Sequence, residues 1–269
     1  MDALISKSFV DLQDKVTVIT GASRGIGRAT TKALVSAGST VIAIARNRQR
    51  LQDLKYELAG LPGKCLPYAC DVTSTTELEQ ILADVEESLG KVDILVNNAG
   101  IYMTDAVKDM SLTHWQTVVN TNLTAAFVAT HAVLPAMIKQ QWGRVIFISS
   151  ISGKYGEAYG SAYSASKFAM IGLMQSLSLE VARCRITANA ICPGWVNTDM
   201  AHDQISDEKW CNLNGLSADE SLNIARFSVP QERLIEPEEI ANLALYLCSD
   251  FARGITGQAI NICGGLSIH

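Results

Sequence analysis

The chain has 269 residues, 48% of them hydrophobic and 18% charged, with 22 basic against 27 acidic side chains. Disordered chains pair low apolar content with high net charge, and this sequence has neither. A net charge of −5 offers no basic face, which excludes nucleic acid and anionic membrane surfaces as partners.

Residues 1–14 read as a polar N-terminal extension. From Lys15 onward, short apolar runs alternate with longer segments of helical period. In chain order, the pattern predicts strands over 16–20, 40–45, 64–69, 92–96, 144–149, 185–191 and 258–262. Helices are expected over 26–37, 48–60, 74–89, 112–140, 162–181 and 237–248. Gly38 and Gly60 stand just past two helix ends, and Pro237 with Glu238 and Glu239 makes a favourable helix opening. Pro135 should kink or end the long helix that contains it. Strand and helix in alternation imply right-handed crossovers and a parallel sheet covered on both faces. No linker divides the chain, so one domain is expected over 15–269. The segment 200–229 is polar but carries Ile205, Trp210, Leu213, Leu216, Leu222 and Phe227, a mixture that suggests a helical lid over a cleft.

The seven cysteines form no C-x-x-C pair and do not meet the four histidines at ligand spacing. No metal is expected, and the thiols read as reduced and buried in a cytoplasmic protein. No apolar stretch approaches the roughly 20 residues that span a bilayer. Asp2, Lys7, Asp11 and Asp14 interrupt any signal-like region.

Directly after the first strand comes Thr20-Gly21-Ala22-Ser23-Arg24-Gly25-Ile26-Gly27, entering a helix. Glycines here allow a tight turn, backbone approach to a pyrophosphate and close helix–sheet packing, while the helix N-terminus receives the phosphates. Glycine-rich turns are common by themselves; the strand before and the helix after sharpen the signal. At the end of the second strand stand Ala45 and Arg46, where an acid would bind a ribose hydroxyl. Arg46 and Arg24 instead suit a 2′-phosphate, which favours NADPH over NADH.

Of three neighbouring tyrosines, Tyr155, Tyr159 and Tyr163, only Tyr163 has a lysine one helical turn on, Lys167. The ammonium is expected to lower the phenol's pKa, so that Tyr163 trades a proton with a carbonyl or alcohol oxygen. Such a pair also occurs by chance in helices that catalyse nothing.

Taken together, Thr20-Gly-x-x-x-Gly-x-Gly27, Asn97-Asn-Ala-Gly100, Asn122, Ser150, Tyr163-x-x-x-Lys167 and Pro193-Gly194 resemble the short-chain dehydrogenase/reductase family, in order and at its spacing, from Lys15 to Gly265. The resemblance implies an α/β fold, a Rossmann-type doubly wound seven-stranded parallel sheet with a small helical lid. It implies a catalytic set of Asn122, Ser150, Tyr163 and Lys167. Ser150, rather than Ser149 or Ser152, would meet the substrate carbonyl, and Asn122 would hold a water relaying protons to Lys167. NADPH or NADP+ would lie along Gly21, Ser23, Arg24, Gly25, Ile26, Gly27 and Arg46. Asp71 and Val72 would flank the adenine, and Asn98, Ala99 and Gly100 would border adenine and ribose. Tyr163 and Lys167 would meet the nicotinamide ribose, with Pro193, Gly194, Val196 and Thr198 by the nicotinamide. The implied reaction is reduction of a ketone, a 3-oxoacyl or other small carbonyl compound, to a secondary alcohol. An NAD-linked alcohol dehydrogenase running oxidatively and an idle NADPH-binding sensor are the alternatives; the absent acid at Ala45 opposes the first and the complete catalytic set the second. An interaction protein would have no use for a buried ionisable pair in a cleft. Tyr155, Glu157, His202 and Trp210 are candidates for substrate contact. The two long helices, 112–140 and 162–181, are apolar on more than one face, as expected of a homotetramer or homodimer.

Overall fold

Alternate residues of the central strands point to opposite faces of one sheet, and each face is covered. In the computed structural model, which describes residues 10–268, Ile19, Val41 and Ala43 belong to one buried cluster. Their neighbours Val18, Ile42 and Ile44 belong to the other. The first cluster is closed by α1 (Gly25–Ser36), α2 (Arg48–Glu57) and α10 (Pro237–Cys248). The second is closed by α3 (Thr75–Leu89), α5 (Ala125–Gln140) and α6 (Ser161–Val181).

The strands are β1 (Val16–Thr20), β2 (Thr40–Ala45), β3 (Lys64–Ala69), β4 (Ile94–Asn97), β5 (Gly143–Ile148), β6 (Ile186–Pro193) and β7 (Ala259–Ile262). All pair in parallel, in the order β3-β2-β1-β4-β5-β6-β7. The expected doubly wound seven-stranded sheet is therefore present. The strand order reverses between β1 and β4, and a crevice opens there at the carboxyl ends of the strands.

Two local expectations need correction. The helix predicted over 112–140 is α4 (Leu112–Val119), a π turn over Asn120–Thr124, and then α5. It does not end at Pro135, which lies inside α5; burial of Val133 and Met137 on either side holds the helix through the missing backbone bond. By length and composition this 29-residue stretch, with an 18-residue window of mean hydropathy 1.3, does reach what a membrane crossing requires, against the expectation that none would. Here its Ala125, Ala129, Val133 and Met137 lie in the core against the sheet. The described part of the N-terminal extension packs on the body: Val10 and Leu12 are buried, and the Leu12 N–H donates to the Ala37 carbonyl. The rest of the extension, 1–9, and the domain's last residue, His269, lie outside the described residues.

The lid segment is helical, as expected: α7 (Asp199–Ile205), α8 (Glu208–Asn214) and α9 (Ala218–Phe227). Thr198, Asp207 and Ser217 cap their N-termini.

Candidate active site

A cleft of about 900 Å³ opens over the carboxyl ends of the strands, between the glycine turn and the lid. Its floor at one end is the turn from β1 into α1. Gly21 and Gly25 hold positive φ there, 70° and 50°, which a side chain would strain. The turn is stitched to the end of β4: Asn98 Nδ2 donates to the carbonyls of Thr20 at 2.9 Å and Gly21 at 3.1 Å. The N–H groups of Asn98 and Ala99 both reach Thr20 Oγ1 at 3.1 Å. Asn98 thus acts as scaffold as well as lining, whereas Asn97 turns away to donate to Thr130 Oγ1 at 3.0 Å.

No side chain caps α1, and its first turn carries no acid. The amides that open the helix have no partner within it and face the cleft, a ready anion site. Arg24, Arg46 and Arg50 line the same end. Arg24 and Arg50 each lie 3.4 Å from Asp199 Oδ2, and Arg46 lies 3.8 Å from Asp71 Oδ2. Backbone hydrogen bonding from Thr73, then the Arg46 charge among further causes, holds the Asp71 carboxyl below its usual range. Arg50 and Asp199 escaped the sequence reading. Repeated arginines after the second strand, at 46, 48 and 50, were the available signal. Amides, arginines and volume together fit a phosphate-bearing dinucleotide.

At the inner end, β5 runs out at Ser149 and Ser150. Ser149 Oγ donates to the Lys167 carbonyl at 3.0 Å and Ser152 Oγ to Glu157 at 3.1 Å. Ser150 Oγ accepts from the Ser152 N–H at 3.0 Å and partners the Tyr163 hydroxyl; all three serines line the cleft. Tyr163 and Lys167 project from the first turns of α6, with Lys167 Nζ 5.5 Å from the Tyr163 ring centre. Lys167 is buried and donates to the Ile148 carbonyl at 2.7 Å.

The expected lowering of the Tyr163 pKa is not found. Burial pushes the phenol up, the Ser150 hydrogen bond opposing it only in part. Burial also pulls the Lys167 ammonium down to about 8. Desolvation outweighs the ammonium's attraction for a phenolate because both groups lie away from water.

Asn122 sits in the π turn, fully buried and off the cleft wall. Its Nδ2 donates to the Ile101 carbonyl and Ser166 Oγ, both at 3.0 Å, and its Oδ1 accepts from the Ile101 N–H at 2.8 Å. Both amide hydrogens are engaged, so a water could be held only through an Asn122 oxygen. The remaining expected cofactor residues, Ser23, Ile26, Gly27, Val72, Ala99, Gly100, Pro193, Gly194, Val196 and Thr198, all line the cleft. Of the substrate candidates, Tyr155, Glu157 and Trp210 do so as well. His202 does not; it is exposed and pairs with Asn197 Oδ1 at 2.8 Å.

A large cleft at the switch point of a doubly wound sheet, with a serine, a tyrosine and a buried lysine at its inner end, defines an oxidoreductase of alcohol and carbonyl groups. Comparison with known proteins agrees: the family model for short chain dehydrogenases matches residues 15–209. The chain belongs to that family. It is 38% identical to the 3-oxoacyl-(acyl-carrier-protein) reductase FabG of Thermotoga maritima, over 96% of this chain and 99% of that one. It is 34% identical to a D-beta-hydroxybutyrate dehydrogenase of Rhizobium meliloti, over 93% and 98%. Among solved structures, a point variant of actinorhodin polyketide ketoreductase, with NADPH, superposes at a TM-score of 0.89, with 38% identity over 95% of this chain and 98% of that one.

Proposed function

We propose that this protein reduces a ketone, a 3-oxoacyl or other small carbonyl compound, to a secondary alcohol with NADPH, Tyr163 serving as general acid. One observation carries the reading: Ser150, Tyr163 and Lys167 converge in the same cleft as an uncapped helix N-terminus and three arginines. When bound, the reduced nicotinamide supplies the hydride that adds to the carbonyl carbon. Tyr163 stays protonated at neutral pH because burial raises its pKa, so its O–H is available to the ketone oxygen. Ser150 donates to that oxygen where negative charge develops. As Tyr163 releases its proton, the Lys167 ammonium beside it offsets the phenolate charge. The proton is then replaced through Lys167, whose pKa of about 8 suits exchange near neutrality. Asn122 positions this pair indirectly, through Ile101 and Ser166.

Preference for NADPH rests on Arg24, Arg46 and Arg50, with no acid at Ala45, and on the NADPH in the similar ketoreductase. In this reading Gly21, Ser23, Gly25, Ile26 and Gly27 hold the phosphates, Asp71, Val72, Asn98, Ala99 and Gly100 the adenosine, and Pro193, Gly194, Val196 and Thr198 the nicotinamide. Residues 15–269 form one oxidoreductase domain, 200–229 covers its substrate end, and buried free thiols accord with a cytoplasmic setting. The test is Tyr163→Phe. Turnover of ketones should fall by about 10²–10⁴-fold while fluorescence titration shows NADPH binding within about threefold of wild type. An unimpaired variant removes Tyr163 from the mechanism.

A further inference from the structure

At the substrate end of the cleft, a carboxylate and an indole N–H face each other with opposite needs. Glu157 lies in the loop before α6 and lines the cleft. Its Oε1 accepts from the Tyr102 hydroxyl at 3.0 Å and from Gln204 Nε2 of the lid at 2.9 Å. Its Oε2 accepts from Ser152 Oγ at 3.1 Å. Tyr102 packs edge-on against Tyr163, ring centres 5.2 Å apart, so Glu157 stands one side chain from the phenol that meets the carbonyl. Trp210 of α8 lines the same cleft, is 6% exposed and packs edge-on against Trp195. Its Nε1 has no hydrogen-bond partner among the described residues. The indole N–H nonetheless points towards Glu157 and Tyr102 at longer range: burial raises the Glu157 carboxyl, and the donors around it, Tyr102, Ser152 and Gln204 with Trp210 beyond them, oppose that rise.

A buried N–H without an acceptor is unfavourable until something fills the gap. The cations that line the cleft are elsewhere: Arg24, Arg46 and Arg50 pair with Asp199 and Asp71, and Lys167 donates to Ile148. Lys209 of the lid is held by Asp105 at 2.9 Å. Among the described residues no cation pairs with Glu157, so a carboxylate on the substrate would meet that charge directly. A protonated amine would satisfy Glu157 and leave the Trp210 N–H unmet. A hydroxyl can do both, since it donates and accepts.

Resting on the ketone-reductase reading above, we propose that Glu157 and Trp210 are specificity determinants for a hydroxy ketone. The substrate hydroxyl donates to the Glu157 carboxylate and accepts from Trp210 Nε1, and the same pair rejects ketones that carry a carboxylate at that position.

The test compares kcat/KM with NADPH for 4-hydroxy-2-butanone, 2-pentanone and 3-oxobutanoate, which set hydroxyl, methyl and carboxylate against one another. Wild type should prefer the hydroxy ketone to 2-pentanone by about tenfold or more, with 3-oxobutanoate poorest. Trp210→Phe, which keeps a ring against Trp195, should lower the hydroxyl-to-methyl ratio by about tenfold. Glu157→Gln, which keeps an acceptor oxygen without the charge, should leave that ratio within about threefold and narrow the discrimination against 3-oxobutanoate by about tenfold. Parallel losses on all three ketones in both variants would make the two residues lid struts and overturn the proposal. Equal turnover of the hydroxy ketone and 2-pentanone by wild type would overturn it without any variant. If wild type reduces none of the three, this proposal fails; a 3-oxoacyl thioester in the same assay separates the outcomes, since its turnover keeps the ketone-reductase reading and its inertness with NADPH bound overturns that reading too.

Discussion

Tyr163 and Lys167 lie one turn apart on α6, yet their charges are governed less by each other than by their shared burial. Spacing alone suggests an ammonium that draws the phenol towards ionisation. The structure reverses the order, with the phenol raised and the lysine brought down to about 8 from an ordinary value of 10.5. That has a consequence for stability. Between about pH 8 and 10.5 the unfolded chain holds the Lys167 proton and the folded one does not, so this lysine's contribution rises with pH across that window. Below it, the buried charge costs on the order of 3 kcal/mol, partly offset by the hydrogen bond to Ile148. Lys167→Met should therefore unfold several degrees above wild type at about pH 7 without NADPH, and the gap should shrink by about pH 10. Thermal unfolding at the two pH values decides it: a constant gap would mean that the charge is not its source. At the other end of the cleft, Arg46 is paired only at 3.8 Å and largely exposed, so it is free to turn to a 2′-phosphate. Arg46→Asp should lower the NADPH-to-NADH ratio of kcat/KM by about tenfold. An unchanged ratio would assign the discrimination to Arg24 and Arg50.

At the scale of elements, the strand–turn–helix that opens the domain is the most tightly specified piece. A Cβ on Gly27 would strike the Gly21 carbonyl oxygen and lie 2.5 Å from Asn98 Nδ2, the groups that tie α1 to β1 and β4. Gly27→Ala should destabilise the fold by about 1–3 kcal/mol and weaken NADPH binding in parallel, read by urea unfolding and fluorescence titration; a variant matching wild type in both would show the turn able to relax. This element was legible in the sequence because strand, turn and helix each carry a local signature: Val16–Thr20 as an apolar run, glycines where positive φ is needed, an uncapped helix start. Tyr163 and Lys167 stood out by their spacing of one helical turn, whereas Ser150 was named only through the family resemblance. What stayed hidden depends on contacts between distant segments. The Arg50–Asp199 pair joins α2 to the lid, and Tyr102 meets Glu157 across 55 positions. The π turn that buries Asn122 has no pattern of its own, and Pro135 is tolerated only because the sheet side of α5 is buried. The lid was readable as a whole from its mixture of polar and apolar residues, but not helix by helix: α7 and α8 have seven residues each, too few turns for an apolar stripe to declare itself.

For the molecule as a whole, the apolar excess exceeds what one sheet with two covered faces uses. The long helices present large apolar side chains outward as well as inward. Leu112 is 69% exposed on α4, Phe127 51% and Ile138 40% on α5, and Phe168 45% and Leu179 82% on α6. α6 packs against both α4 and α5, so these residues lie on one connected group of helices. Monomers seldom leave so much apolar surface on neighbouring elements to water, and the expected outcome is a homodimer or homotetramer that buries these helices. Sedimentation at micromolar concentration should give a mass at least twice the 29.0 kDa of the chain. Phe127→Glu combined with Phe168→Glu should shift it to that of a single chain, because burying two unpaired carboxylates in an interface is strongly unfavourable. NADPH titration of the double variant separates assembly from folding: the cleft lies over the strand ends and includes neither Phe127 nor Phe168, so the dissociated chain should still bind. A wild-type mass near that of one chain would mean that these side chains face water in solution and that the apolar excess has another explanation.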